Sequence, residues 1–178
     1  MNAMRRIPNF LTMFRLILAL VFPLLPATWW FPALLTGAAS EFLDGFLARR
    51  FNVTTKFGQI LDPIADKAFV VIASLTFVGH GLMSISELLM VAARDVVVTL
   101  CAVWLIIFRR QNLFEDVKPH LLGKITTAFQ ITLLISISYF SGVESWILYP
   151  TIMMSALAAF VYFKIFFQLI MNEERIGI

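Results

Sequence analysis

Four carboxylates lie close together in an otherwise apolar chain. Glu41 and Asp44 are three residues apart, and Asp62 and Asp66 are four apart. Residues at these spacings share one face of a helix, so each pair presents its carboxylates together. Clustered carboxylate oxygens are hard ligands that suit Mg²⁺, Mn²⁺ or Ca²⁺, and the lack of a nearby His or Cys argues against zinc. The pattern therefore predicts a divalent-cation site.

Two other interpretations use the same carboxylates. They could be solvated charges at helix ends, paired with Arg49, Arg50 and Lys67. They could also belong to an ion or proton pathway, as in a cation transporter or channel, because acids inside a membrane often mark such pathways. The pathway fits less well, since the four carboxylates cluster at one depth of the bilayer.

The composition indicates what holds these residues. Of the 178 residues, 60% are hydrophobic and 14% are charged, whereas soluble domains have about 45–50% apolar and about 25% charged residues. This excludes a soluble, disordered or disulfide-stapled protein and predicts an integral membrane protein. The net charge of +3 is small and scattered, so no nucleic acid is expected as a partner.

Apolar runs separated by Pro, Gly and polar residues predict the fold class: an all-α polytopic membrane protein with six transmembrane helices, forming a single domain over residues 1–178. A short basic N-terminal segment, Met1–Asn9, is expected to lie along the membrane interface. The six predicted spans are Phe10–Ala27, Phe31–Ala48, Ile60–Phe77, Leu88–Phe108, Leu121–Phe140 and Trp146–Ile170.

The distribution of Lys and Arg predicts the orientation. Basic residues lie in the N-terminal segment, in or beside the second and fourth loops, and in the C-terminal tail, whereas loops one, three and five have none. Because cytoplasmic loops are enriched in Lys and Arg, both termini are expected in the cytoplasm. The carboxylates then lie near the cytoplasmic surface, where a short basic loop joins spans two and three.

At this hairpin the sequence resembles a known family. It reads Glu41-Phe-Leu-Asp44-Gly45-Phe-Leu-Ala48-Arg49, then eight residues, then Gly58-Gln-Ile-Leu-Asp62-Pro-Ile-Ala-Asp66. This is similar to the signature of the CDP-alcohol phosphotransferases, Asp-x-x-Asp-Gly-x-x-Ala-Arg followed by Gly-x-x-x-Asp-x-x-x-Asp. One position differs, because Glu41 stands where the signature has Asp. The carboxylate is kept, with a longer reach.

The resemblance implies an enzyme that transfers a phosphatidyl or related group from a CDP-linked donor to an alcohol and releases CMP. Mg²⁺ or Mn²⁺ would be bound by the four carboxylates, and Asp66 would also be the general base. Gly45, Ala48 and Gly58 would allow the nucleotide to lie against the helices, and Arg49 would order the donor's phosphates. Dimerisation is typical of the family, so a homodimer is compatible with the resemblance.

The start of the chain resembles one branch of this family, which makes phosphatidylglycerophosphate or cardiolipin. Asn9, Thr12 and Arg15 are three residues apart. By resemblance they would face the donor site from one side of the first helix. The alternative is an interfacial helix in which these polar side chains cap the helix end or extend their polar tips to the membrane surface.

Two further cations are candidates for binding the acceptor. Arg94 lies inside the fourth predicted span beside Asp95, and Lys124 opens the fifth. An Arg fork recognises phosphate well; the alternative is a local, neutralised Arg94–Asp95 pair. The expected reaction transfers the phosphatidyl group of CDP-diacylglycerol to a glycerol-type acceptor, with release of CMP, at the cytoplasmic face of a bacterial inner membrane. Glycerol 3-phosphate is the first acceptor expected, and phosphatidylglycerol, giving cardiolipin, is the second.

Overall fold

All regular secondary structure in the described part of the chain is helical. A computed structural model describes residues 6–51, 56–108 and 121–176; within them, the side chains of residues 6–9, 41–42, 44–51, 56–64, 106 and 172–176 lie outside the description. The helices are α1 (Arg6–Val21), α2 (Trp30–Phe51), α3 (Lys56–Gly79), α4 (Ile85–Val91), α5 (Ala93–Ile107), α6 (Leu121–Phe140) and α7 (Ser145–Ile176), with 3₁₀ turns at Phe22–Leu24 and Ala27–Trp29.

Two of these helices are long and apolar enough to cross a membrane within the described ranges, over Leu121–Phe140 and Ser145–Met171. The bent pair α4 and α5 makes a third if both belong to one span. Only 11% of the apolar segment of α7 is buried inside the protein, and large side chains such as Trp146, Tyr149 and Phe160 are exposed. Such an apolar surface is suited to lipid, as expected for an integral membrane protein.

Helix boundaries differ from the predicted spans at several ends, and two differences change the predicted layout. The first helix already begins at Arg6, so residues 6–9 of the predicted interfacial segment are helical. The fourth predicted span, Leu88–Phe108, is not one straight helix, because α4 and α5 meet at an angle of 62°. The predicted loop between the fourth and fifth spans, residues 109–120, lies outside the described residues.

Contacts divide the chain into two compact units. The first contains Met1–Ser84 and Ile131–Glu144, and the second contains Ile85–Gln130 and Ser145–Ile178. Helix α6 contributes its second half to the first unit and its first half to the second. The single-domain organisation stays a prediction.

An aromatic cluster forms the core of the first unit. Phe22 lies 6.1 Å from Phe69 and 6.0 Å from Phe77 between ring centroids, and Trp30 lies 5.4 Å from Phe77. These rings join the turn after α1, the start of α2 and the second half of α3. Edge-to-face pairs of this kind add stability beyond that of their buried area. The cluster thus fixes the three helices that carry the predicted donor site.

Helix α3 ends in a Schellman motif. The amide of Leu82 donates to the carbonyl of Phe77 at 2.9 Å, and the amide of Gly81 donates to the carbonyl of Val78 at 3.0 Å. Gly81 has a φ of 71°, which a glycine adopts without the steric penalty of a side chain. The motif turns the chain sharply into the loop before α4.

Gly81→Ala is expected to lower the free energy of unfolding by about 1 kcal/mol, because a Cβ is disfavoured in the left-handed conformation. The measurement is unfolding of the purified protein in detergent. Gly79→Ala is the matched control: it lies within α3, and an added Cβ meets nothing within 4 Å. Equal effects of the two substitutions would contradict this account of the turn.

Candidate active site

Helix α1 presents a buried stripe to the first unit. Thr12, Arg15, Ala19 and Phe22 are all at most 2% exposed, and their spacing of three and four residues puts them on one side of the chain. Helix α1 packs against both α2 and α3. The polar half of this stripe, Thr12 and Arg15, therefore faces the helices that carry the predicted carboxylates.

Arg15 joins three helices through its guanidinium. Its Nη1 donates to Oδ1 of Asp66 on α3, and its Nε donates to Oγ of Ser40 on α2 at 3.2 Å. Ser40 in turn donates to the carbonyl of Gly37 at 2.7 Å. The side chain of Arg15 is 2% exposed and that of Asp66 is 30% exposed. The ion pair is thus buried on the Arg15 side and partly open on the Asp66 side.

Close packing of α2 on α3 lies beside this pair. A Cβ added to Gly37 would come within 2.5 Å of the ring of Phe69, so only glycine permits the approach. Phe69 lies three residues beyond Asp66, which is about one helical turn. This close contact therefore sets the distance between α2 and α3 near the ion pair.

The other predicted donor-site residues are placed by their backbone alone. Helix α2 carries Glu41, Asp44, Gly45, Ala48 and Arg49, and α3 carries Gly58 and Asp62. Gly58, Asp62 and Asp66 lie on successive turns of one continuous helix, as predicted. The side chains of these residues other than Asp66, and that of Asn9 on α1, lie outside the described part of the structure. Among the side chains that are described, no three metal-ligating residues cluster.

Arg94 lies at the break between α4 and α5 in the second unit. Its Nη1 donates to Oδ1 of Asp95 at 2.8 Å and to Oγ1 of Thr127 at 3.3 Å. The side chains of Arg94 and Asp95 are 13% and 16% exposed. A local Arg94–Asp95 ion pair is therefore present in the structure. Binding of an acceptor phosphate by Arg94 stays a prediction.

The other side of the Arg94 guanidinium lies against Gly123 and Tyr162. A Cβ added to Gly123 would meet the Tyr162 hydroxyl at 2.6 Å and Nη2 of Arg94 at 2.8 Å. The guanidinium carbon lies 5.8 Å from the centroid of the Tyr162 ring, in the range of a cation–π contact. Lys124, next to Gly123, is exposed. The two predicted acceptor cations therefore belong to neighbouring positions of the second unit.

Three polar residues of these clusters were not singled out from the sequence: Ser40, Gln130 and Ser155. Each is buried, with 5%, 1% and 0% exposure, and each bonds a predicted site residue or its neighbour. Their position inside apolar helices was the available signal, because a polar group there requires a partner.

Comparison with known proteins gives a consistent result. Residues 5–165 match the family model for CDP-alcohol phosphatidyltransferase. The chain is 36% identical over 138 residues to proteins of Escherichia coli K12, Shigella flexneri serotype 5b and Shigella sonnei. These regions cover 72% of this chain and 74% of each relative, and each relative is named CDP-diacylglycerol–glycerol-3-phosphate 3-phosphatidyltransferase.

Arg15→Ala is expected to lower the free energy of unfolding by about 2 kcal/mol, since it removes charge-assisted hydrogen bonds to a partly buried carboxylate. Arg15→Lys keeps the charge but not the fork that reaches both Asp66 and Ser40, so its loss should be smaller. Denaturant unfolding in detergent measures both. Stability of Arg15→Ala equal to that of the unmodified protein would contradict a structural role for the pair.

Proposed function

Since the chain belongs to the CDP-alcohol phosphatidyltransferase family, we propose that it transfers the phosphatidyl group of CDP-diacylglycerol to glycerol 3-phosphate, forming phosphatidylglycerophosphate and CMP. The observation that carries the proposal is the 36% identity to relatives bearing the name of this activity, over 72% of this chain and 74% of theirs. The family match also favours a transferase over a cation transporter or channel.

The donor site in this proposal lies on α1, α2 and α3. Mg²⁺ or Mn²⁺ would be held by Glu41, Asp44, Asp62 and Asp66, and would neutralise charge on the donor's diphosphate. The one described carboxylate of this set suits a cation ligand, because Asp66 is partly exposed while Arg15 holds one of its oxygens. A donor set of carboxylate oxygens suits these hard ions.

The reaction has one proton to move. The acceptor hydroxyl oxygen attacks the phosphorus of the phosphatidyl group, the bond from that phosphorus to the CMP oxygen breaks, and CMP leaves. In our proposal Asp66 accepts the proton of the attacking hydroxyl as general base. Arg15 and Ser40 fix the direction of that carboxylate, which supports the role because a general base must lie within hydrogen-bond reach of its proton.

The remaining donor-site residues have binding roles in this proposal. Asn9, Thr12 and Arg15 line the site from α1. Arg49 orders the donor's phosphates, and the small residues Gly45, Ala48 and Gly58 leave space for the cytidine nucleotide. Support comes from the burial of Thr12 and Arg15 on the face of α1 toward α2 and α3, and from the match of the hairpin to the family signature.

The acceptor's phosphate is assigned to Arg94 and Lys124. Nη1 of Arg94 is directed at Asp95 and Thr127. Its Nη2 lies beside Gly123, the residue that precedes Lys124. Two cations suit a small phosphate monoester, which needs converging positive charge.

We also propose six spans with both termini in the cytoplasm, in a bacterial inner membrane, and an active site on the cytoplasmic side. Helices α2 and α3 have 22 and 24 residues, which is enough to cross the hydrocarbon core. The basic residues beside their shared loop support a cytoplasmic hairpin. A homodimer is part of this proposal by family resemblance.

A second candidate acceptor is phosphatidylglycerol, which would give cardiolipin. The Arg94–Asp95 pair and the Lys118-Pro119 sequence before Lys124 resemble the cardiolipin-synthase branch. The position two residues after Lys124 is Thr126, where members that use glycerol phosphate often have a second Lys. Thr126 carries no charge, so this position supplies no second cation. Its side chain is fully buried, and its hydroxyl donates to the carbonyl of Leu122 at 2.8 Å.

CMP release tests the choice of acceptor. Purified protein with CDP-diacylglycerol and Mg²⁺ or Mn²⁺ is expected to release CMP when glycerol 3-phosphate is added, and to stop when the metal is chelated. Phosphatidylglycerol, supplied separately, should give at most background release. Release with phosphatidylglycerol alone would replace the proposed acceptor by the second candidate, and release with neither from folded protein would overturn the proposal.

Asp62→Asn and Asp66→Asn are each expected to reduce transfer at least a hundredfold, since general base and metal ligand both require a carboxylate. The amide of Asp66→Asn can still accept a hydrogen bond from Arg15, so folded protein should be recoverable. Glu41→Asp, which restores the family residue, is the matched control and should keep transfer. Near-normal transfer by either Asn variant in folded protein would refute the site.

A further inference from the structure

The break between α4 and α5 has no cause in its own sequence. Residues 85–95 contain neither Pro nor Gly, yet the helix bends by 62° between Val91 and Ala93. Sharp bends without these residues usually arise where a side chain inserts into the ladder of backbone hydrogen bonds. A side chain from another helix that bonds the backbone at the break would therefore explain the bend.

Ser155 of α7 is that partner. In a continuous helix the amide of Arg94 would donate to the carbonyl of Met90, and the carbonyl of Val91 would accept from the amide of Asp95. Instead the amide of Arg94 donates to Oγ of Ser155 at 3.1 Å, and Ser155 donates to the carbonyl of Val91 at 2.8 Å. One fully buried hydroxyl thus connects the two sides of the break.

Gln130 of α6 connects the same two sides through its amide. Its Nε2 donates to the carbonyl of Val91 at 3.0 Å and to Oδ2 of Asp95 at 2.8 Å. The other carboxylate oxygen of Asp95 accepts from Nη1 of Arg94 at 2.8 Å. Gln130 is 1% exposed, so it has no competing bond to solvent. It therefore orients Asp95, and Asp95 orients the guanidinium.

We propose that Ser155 and Gln130 are positioning residues for the acceptor: they set the bend in the fourth span and thereby direct Arg94 toward the acceptor's phosphate. This inference rests on the proposed function, in which Arg94 binds that phosphate. Neither residue touches the substrate. Their effect passes through the backbone of Arg94 and through the Asp95 carboxylate, so it acts on acceptor binding and leaves donor binding alone.

Steady-state kinetics with each substrate varied separately tests this proposal. Ser155→Ala and Gln130→Met are each expected to raise KM for glycerol 3-phosphate about tenfold, because each variant loses both hydrogen bonds that its side chain makes at the break. KM for CDP-diacylglycerol should change less than twofold. Thr151→Val is the matched control, because this buried hydroxyl on α7 bonds only the carbonyl of Ile147 in its own helix, at 2.7 Å, among the bonds described; it should change neither KM.

A double-mutant cycle separates positioning from a general packing defect. In an Arg94→Lys background, which removes the directed fork, Ser155→Ala should add less than a twofold further increase in KM for glycerol 3-phosphate. A full tenfold addition there, or equal increases in both KM values, would overturn the positioning role. If Ser155→Ala does not fold, the same double-mutant cycle with Arg94→Lys is measured with Ser155→Cys and with Gln130→Met.

Failure of this inference is distinguishable from failure of the proposed function. If the unmodified protein releases no CMP with glycerol 3-phosphate, the proposed function fails. If the unmodified protein is active and the Ser155 and Gln130 variants keep its KM for glycerol 3-phosphate, the function stands and the positioning role is wrong.

Discussion

Charged side chains inside apolar helices require partners, and this requirement determines how the helices meet in each unit. An uncompensated charge at the centre of a span costs about 2.5–3.5 kcal/mol on insertion scales. Arg15 meets the requirement by joining α1 to Asp66 on α3 and to Ser40 on α2. Arg94 meets it through Asp95, whose second oxygen is bound by Gln130. The pairs that stabilise the helices are therefore the pairs that hold the candidate reactive groups.

This coupling explains why polar residues concentrate where the chemistry is expected. Asp66 has a buried cation on one side and 30% exposure on the other, so it is fixed in place yet accessible. The bend before Arg94 follows the same logic, since Ser155 replaces a backbone hydrogen bond instead of leaving it unmade. In both units, satisfying buried polar groups also orients a side chain assigned to substrate.

The sequence predicted the helical class, because apolar runs of helix length end where Pro, Gly and polar residues cluster, as at residues 79–86 and 141–145. The placement of Glu41 and Asp44 on one helix and of Asp62 and Asp66 on the next was also predictable, because these carboxylates follow helical spacing. The break at Val91 was not, since nothing in the local sequence disfavours a helix there; its cause lies in Ser155 and Gln130, which are distant along the chain. Likewise, the Ser40 contact to Arg15 depends on how α1 and α2 pack.

The most direct measurement is the fate of radiolabelled glycerol 3-phosphate incubated with the purified protein, CDP-diacylglycerol and Mg²⁺ or Mn²⁺. The account predicts that the label enters the lipid fraction as phosphatidylglycerophosphate, with one CMP released per labelled lipid. Label that stays entirely in the aqueous phase with folded, metal-supplied protein would contradict it.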